Sequence, residues 1–383
     1  MGKRARKVQR SAPAQRRPRH GIDFRVLGIA VLVLGAGGFA ASKLSGLTKP
    51  VLDTAHQAQV HSQENYAAPD FAGISTWINS PPLTVASLQG HVTLVDFWTY
   101  SCVNCIRTLP YLRSFYSQYH RLGFDIVGVH TPEFTFEKDP SNVRAAVKEH
   151  QIPWPVAMDN EMATWSAYKN QYWPHVYLLD ANGHVRYDFI GEGNDIAIQA
   201  AIRTLLAAPG VRVPSAAPLP SQDLSGDMTP EIYLGYERGE YSQSLANSEG
   251  YTHDRPVTYA EPSPQAVQAA GSRGVFWLSG GWRASREHVT PVGAGAEIIL
   301  NFSASDAYIV AGPAADGSPG VLDAQLDGSP IPPAEQGGGL HDGRLSLRFR
   351  DLYHLVHLAT PGQHVLTLTV SNPNVAVYTF TFG

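Results

Sequence analysis

The sequence predicts two folded units of different class: an α/β layer domain followed by an all-β sandwich of the jelly-roll kind. Both stand behind a single apolar membrane span. Residues 67–209 alternate apolar strand-like runs with helix-like periodicity, the pattern of an α/β layer fold. Residues 231–383 carry only short alternating segments between turns rich in Gly, Asp, Pro and Asn, the pattern of a sandwich. Residues 210–230 between them are rich in Pro, Ser, Ala and Gly and read as a linker. At 383 residues the chain exceeds one ordinary domain, which fits this division.

The amino-terminal elements set the compartment. Residues 1–24 form a basic tail, with Lys3, Arg4, Arg6, Lys7, Arg10, Arg16, Arg17 and Arg19 and no acid before Asp23. Residues 26–42 then carry no charge, flanked by Arg25 and Lys43. Spanning a bilayer takes about 20 apolar residues. Extension to Leu47, with Lys43 snorkelling, makes residues 25–47 the expected anchor. Residues 48–66 form a polar stalk. Positive charge ahead of the span keeps the tail cytoplasmic and exports the rest. The expectation is therefore a single-pass inner-membrane protein with its domains in the periplasm or extracytoplasmic space, and no nucleic-acid partner. A cleaved signal peptide is the rival, with small residues at Ala40-Ala41-Ser42; it gives the same compartment.

Within the first domain, residues 92–98 and 124–130 read as buried central strands. Residues 103–120 place Leu109, Leu112, Phe115, Tyr116 and Tyr119 at helical spacing. Residues 141–150 read as a helix with Ser141 as its cap. Residues 175–179 and 185–190 flank Asp180-Ala181-Asn182-Gly183 as a hairpin, and residues 196–206 close the domain as a helix.

The two cysteines, Cys102 and Cys105, follow directly on the first buried strand. A disulfide between them closes too small a loop to brace an exported fold, and suits electron exchange. A structural zinc site needs four ligands, and no second pair exists. Covalent haem needs His after the second Cys, where Ile106 stands. No metal or other cofactor is expected. Cys102 at a helix N-terminus faces unpaired N–H groups that favour thiolate, while Cys105, one turn in, is placed to resolve a mixed disulfide. Arg107 either adds positive charge to the pair or points to water.

The run from Val95 to Cys105 resembles the thioredoxin superfamily, within it the TlpA-like membrane-anchored proteins and the C-terminal part of DipZ-type proteins. The resemblance covers residues 67–206. Pro110 matches the family's helix-kinking proline, and Trp173-Pro174 the segment whose cis-proline packs beside the redox pair. Residues 68–71 and 87–90 look like the family's opening hairpin region, and residues 129–134 and 172–174 are especially like DipZ-type sequences. The resemblance implies a redox-active Cys102–Cys105 disulfide. It makes Asp96 the proton acceptor for Cys105, and Pro174, Trp173 and His175 contacts to substrate. The plain alternative for Asp96 is a strand-end carboxylate bonding backbone amides. Glu133 is a tuning candidate or a turn acid, and His130 is a weaker tuning candidate than His175. Val103-Asn104 between the thiols departs from the Gly-Pro of thioredoxin, so the direction of electron flow does not carry over. A peroxiredoxin reading rests on Thr99 alone, since Val95 stands where that family has proline.

The second domain resembles the carbohydrate-binding-module-like domain of DipZ-type proteins, chiefly through residues 365–382. Trp277, Trp282, Tyr308 and Tyr353 are read either as core or as platforms for sugar rings. Asp306, Asp316, Asp323, Asp327 and Asp342 are read as turn residues rather than calcium ligands.

The expected function is a membrane-tethered thiol–disulfide oxidoreductase, reducing disulfides of exported proteins and recharged by a separate transmembrane thiol-electron donor. The alternative is an envelope module in which the β domain binds glycan or protein and the redox unit is vestigial.

Overall fold

The computed structural model describes residues 60–61, 65–207, 212–213, 215, 228–315 and 318–383. The expected tail, the span and most of the stalk and linker lie outside the described residues. Among the described residues no helix is long and apolar enough to cross a membrane.

The first domain is a mixed sheet with helices on it. Its strand order is Val60–His61, His184–Ile190, His175–Leu179, Val92–Trp98, Phe124–His130, Val156–Met158, Thr76–Ile78. Val92–Trp98 is the axis, parallel to Phe124–His130 and antiparallel to His175–Leu179. Every residue of this strand is buried, which is why it reads as a largely apolar run, broken by Thr93 and Asp96, rather than an alternation. The two faces carry separate cores. Leu94, Trp98, Val176 and Leu178 pack with Cys105, Leu109, Leu112 and Phe115 of the Val103–Tyr119 helix. Val95, Phe97, Tyr177 and Leu179 pack with Trp165 and Tyr168 on the other side. Gly128 is required by close approach, since a Cβ there would meet Trp98 Nε1 at 3.0 Å and Trp154 Nε1 at 3.4 Å.

Two local expectations are corrected. The cap of the Pro140–Glu149 helix is Asp139, whose carboxylate accepts from the Ser141 N–H; Pro140 takes the first helical position, where no N–H is needed. Residues 68–71 and 87–90 do not form a hairpin. Ala86–Leu88 is a 3₁₀ turn, Tyr66–Ala67 pairs with His184–Ile190, and Thr76–Ile78 crosses to pair with Val156–Met158 at the opposite edge.

The carboxy-terminal domain is β-rich and built on one core that includes Phe276, Trp282, Phe302, Leu366 and Phe380. Its eleven strands form one continuously hydrogen-bonded set. What read as separate short strands at 297–302 and 307–310 is one strand, Glu297–Gly312, and residues 365–370 belong to Asp351–Asn372. These two long strands pair antiparallel with register shifts between Ala304 and Asp306 and between Ala307 and Tyr308. The shifts let each strand bend and serve both parts of the sheet: Glu297–Leu300 pairs with Phe276–Ser279, while Ala307–Gly312 pairs with Ala376–Phe382. Sequence periodicity breaks at such a bulge, which is why one strand read as two. Asp327-Gly328 and Asp342-Gly343 are tight turns with both residues at positive φ, as their residue types indicated.

Trp277 and Trp282 are enclosed in this domain. Tyr308 stacks on His354, and the Tyr353 hydroxyl donates to Phe349 O. Trp277 and Trp282 are therefore core, and offer no face to a sugar. Asp306 is not a turn residue. It sits at the bulge, where its Oδ1 lies 2.7 Å from both His354 Nε2 and His357 Nδ1. These three residues could between them hold a metal ion, and as they stand they satisfy one another by hydrogen bonding.

Candidate active site

Cys102 caps the Val103–Tyr119 helix. It is extended in backbone conformation, and its Sγ accepts from the Cys105 N–H at 3.2 Å. The Cys105 thiol, fully buried, donates to Cys102 Sγ at 2.6 Å. Both cysteines are free thiols, Cys102 half-buried. Burial pushes the Cys102 thiol up, opposed by the Cys105 thiol and N–H and reinforced by Glu133. The helix terminus thus donates to the sulfur as expected, while enclosure and the Glu133 carboxylate oppose the thiolate. Burial raises Cys105 much further, with Cys102 and Asp96 adding to it.

Asp96, 1% exposed, lies on the Val92–Trp98 strand opposite Gly128 and Val176. Among the described residues neither carboxylate oxygen has a hydrogen-bond partner. This departs from the alternative in which Asp96 bonds backbone amides. Burial pushes its carboxyl up to about 7, in range to exchange protons near neutral pH. Its charge is felt at Cys105.

The Trp173–Pro174 peptide is cis. Trp173 stacks near Trp165, with ring centroids 4.1 Å apart, and its indole N–H donates to Thr131 O. Trp173 shares a pocket of about 240 Å³ with Cys102, Val103, Asn104, Glu133 and Tyr172.

His175 is not brought to the thiols. It has the parity of Tyr177 and Leu179, which puts it on the sheet face away from the Cys105 helix. There it is held by Asn170 Oδ1 at 2.5 Å and Asp188 Oδ2 at 3.1 Å, and it borders a separate pocket with Tyr177 and Lys169. His130 is fully buried, driven down to about 3 by burial, and pairs with Thr99 Oγ1 at 3.3 Å. Burial keeps its ring neutral at working pH, so it lends the thiols no positive charge.

Arg107 does not point to water. Its guanidinium makes a two-pronged pair with Glu192, both contacts at 2.8 Å, and donates to Asn104 Oδ1 at 2.7 Å and to Phe382 O of the second domain. Its charge is met first by Glu192, with a weaker electrostatic interaction reaching Cys102.

Glu133 does line the Cys102 pocket, and it is tied to the second domain: its Oε1 accepts from Arg238 and from the Tyr233 hydroxyl, the latter at 2.7 Å. Glu231, Tyr233 and Thr381 complete the pocket wall from the β-rich side. Below it, Phe134 and Phe136 pack on Tyr378. The cleft over Cys102 is therefore built by both domains.

Sequence reasoning missed these second-domain residues, because nothing local marks Glu231, Tyr233 or Arg238 as neighbours of a cysteine more than a hundred positions earlier. It also missed Glu137. Fully buried, Glu137 accepts from the Ser101 hydroxyl and from the Glu133 and Phe134 N–H groups, fastening the cysteine loop to the segment after Phe124–His130. Burial, then the Glu133 charge, push it up to about 7.

A family model described as Redoxin matches residues 63–202, and one described as thioredoxin-like C-terminal domain matches residues 229–383. The chain thus carries a Redoxin domain followed by a thioredoxin-like C-terminal domain. Its amino-terminal domain is of the thiol–disulfide oxidoreductase type. The protein DipZ of Mycobacterium tuberculosis is 39% identical over 69% of this chain; the match covers 37% of DipZ, so the chain spans little more than a third of that relative. Thiol-disulfide oxidoreductase YkuV of Bacillus subtilis is 27% identical over 36% of this chain and 93% of its own length. A crystal structure of a thioredoxin-like superfamily protein aligns at 27% identity with a TM-score of 0.35, covering 39% of this chain and 99% of that one.

Proposed function

We propose that this protein is a membrane-tethered, extracytoplasmic thiol–disulfide oxidoreductase that reduces disulfides of exported proteins through a mixed disulfide. The observation that carries the reading is the pairing of a half-buried Cys102 with an enclosed Cys105, backed by the buried carboxyl of Asp96, which has no hydrogen-bond partner among the described residues. Cys102 loses its proton and attacks a substrate disulfide; one substrate sulfur leaves. Cys105 then gives its proton to Asp96 and attacks the mixed disulfide, freeing the second substrate sulfur and leaving Cys102 and Cys105 oxidised. The cis Trp173–Pro174 segment and Tyr172 border the cleft where an extended substrate chain would lie.

The uncharged run at 26–42 supports the tether, and the DipZ similarity supports the compartment. The reducing direction is supported by the upward push that burial and Glu133 give the Cys102 thiol, because couples whose reduced form gains no thiolate stabilisation are the more reducing. A separate membrane thiol-electron donor would recharge the pair, and the β-rich domain would dock a glycan or protein partner. Insulin reduction by the full-length protein with dithiothreitol tests the activity. The expected result is turnover lost in Cys102→Ser; absence of turnover by the unaltered protein under any thiol reductant would remove the reading.

A further inference from the structure

The β-rich domain places a second carboxyl in the Cys102 cleft, and the hydrogen bonding there fixes its proton. The Tyr233 hydroxyl lies 2.7 Å from Glu133 Oε1 and 2.7 Å from Glu231 Oε2. A hydroxyl has one hydrogen to give. Two ionised carboxylates at that distance would leave one contact without a proton, so the trio needs one more. Arg238 donates to Glu133 and fixes it as the accepting end of the trio, which leaves the extra proton on Glu231. Glu231 then donates to the Tyr233 oxygen, and the Tyr233 O–H donates to Glu133. Thr379 Oγ1 approaches Glu231 Oε1 at 3.4 Å.

We propose that Glu231 is the acid–base group serving Cys102, giving its proton to the first substrate sulfur to leave. The inference rests on the disulfide-reductase reading above. It assigns one carboxyl to each cysteine: Asp96 behind Cys105, and Glu231, from the other domain, in front of Cys102. In the step, the Cys102 thiol loses its proton to solvent and the thiolate attacks the substrate disulfide. The Cys102–substrate bond forms as the substrate S–S bond breaks, and the departing sulfur takes the Glu231 proton. Glu231 regains a proton from solvent, so the two protons lost by Cys102 and Cys105 balance the two gained by the substrate thiols.

The charged and titratable groups facing Glu231 are Glu133, Tyr233, Arg238 and Cys102. Withdrawal from water, then the Glu133 carboxylate, shift Glu231 upward, while Arg238 and Thr379 oppose. Glu231 is exposed to solvent, which moderates the shift and gives the proton its route in and out.

The test exploits leaving-group acidity. A basic aliphatic thiol needs a proton to leave, whereas an acidic aromatic thiol does not. Reduced full-length protein is mixed with oxidised glutathione or with 5,5′-dithiobis(2-nitrobenzoate), and single-turnover rates are followed from pH 5.5 to 9. Glu231→Gln is expected to lose about tenfold or more with oxidised glutathione near neutral pH, within the range of general acid catalysis, while the aromatic disulfide changes by less than about twofold. Glu287→Gln, which removes a contact between the domains at Thr135 and lines a neighbouring pocket but not the one holding Cys102, is expected to leave both rates unchanged. Equal losses on both disulfides in Glu231→Gln, no loss on either, or the same selective loss in Glu287→Gln would overturn the assignment. Failure of the unaltered protein to reduce either disulfide would instead take down the reductase reading itself.

Discussion

Replacing Asp96 by Asn separates the two things this carboxyl does. Asp96 is 1% exposed and has no hydrogen-bond partner among the described residues, and burial alone carries its carboxyl from 3.8 to about 7. A folded-state pKa raised above the unfolded one means that the stability of the protonated form is fully present below the unfolded value. It is lost as pH rises through the folded value. At about 1.4 kcal/mol per unit, a shift of about three units costs the fold on the order of 4 kcal/mol by pH 7, and almost nothing at pH 4. Asn removes that pH-dependent cost and adds a smaller, pH-independent one for an unpaired buried amide, about 1–3 kcal/mol. The expected result is that Asp96→Asn is no more stable than the unaltered protein at pH 4 and about 1–3 kcal/mol more stable at pH 8. Urea unfolding of the full-length protein at several pH values measures it. Glu137 and Asp195, also raised by burial, titrate in both proteins and cancel in the difference. The same variant is expected to resolve its mixed disulfide about tenfold or more slowly, since Cys105 loses its proton acceptor. A stability difference that stays constant from pH 4 to 8 would refute the reasoning.

Other outcomes follow from the packing. Arg107→Ala leaves Glu192, with its side chain only 11% exposed, facing no guanidinium, and severs the link to Phe382 O; a loss of about 2 kcal/mol is expected by urea unfolding, with Arg107→Lys recovering only part of it. Trp282→Ala empties a fully buried site in the β-rich core and is expected to cost about 3–5 kcal/mol, read as a drop in midpoint on thermal unfolding. Because that core is separate from the one around Cys105, thiol alkylation of the native variant at low temperature is expected to keep its usual rate.

The fold was legible where local pattern and tertiary environment agree. Val92–Trp98 is buried on both faces, so its apolar run announced a central strand, and Leu109, Leu112 and Phe115 announced the helix by spacing. Cys102, Cys105, Asp96 and the Trp173-Pro174 segment could be nominated from sequence because each has a sequence signature. His175 was misplaced because adjacency to Pro174 suggested proximity, whereas strand alternation turns neighbours to opposite faces. Arg107 was half-assigned to solvent because its partner Glu192 lies 85 residues on. Glu231, Tyr233 and Arg238 left no local trace, because they reach the thiols only through the docking of the β-rich domain. The bulged strand Glu297–Gly312 read as two for a related reason: its register is set by its partners, not by its own periodicity.

The most direct test of the central claim traps the intermediate. Cys105→Ser is expressed as the full-length protein in the native envelope, and disulfide-linked species are recovered without reductant and identified by mass spectrometry. The expected result is a set of exported cysteine-containing proteins joined through Cys102, released by dithiothreitol and absent when Cys102 is also replaced by Ser. Recovery of no Cys102-dependent adduct would contradict the account.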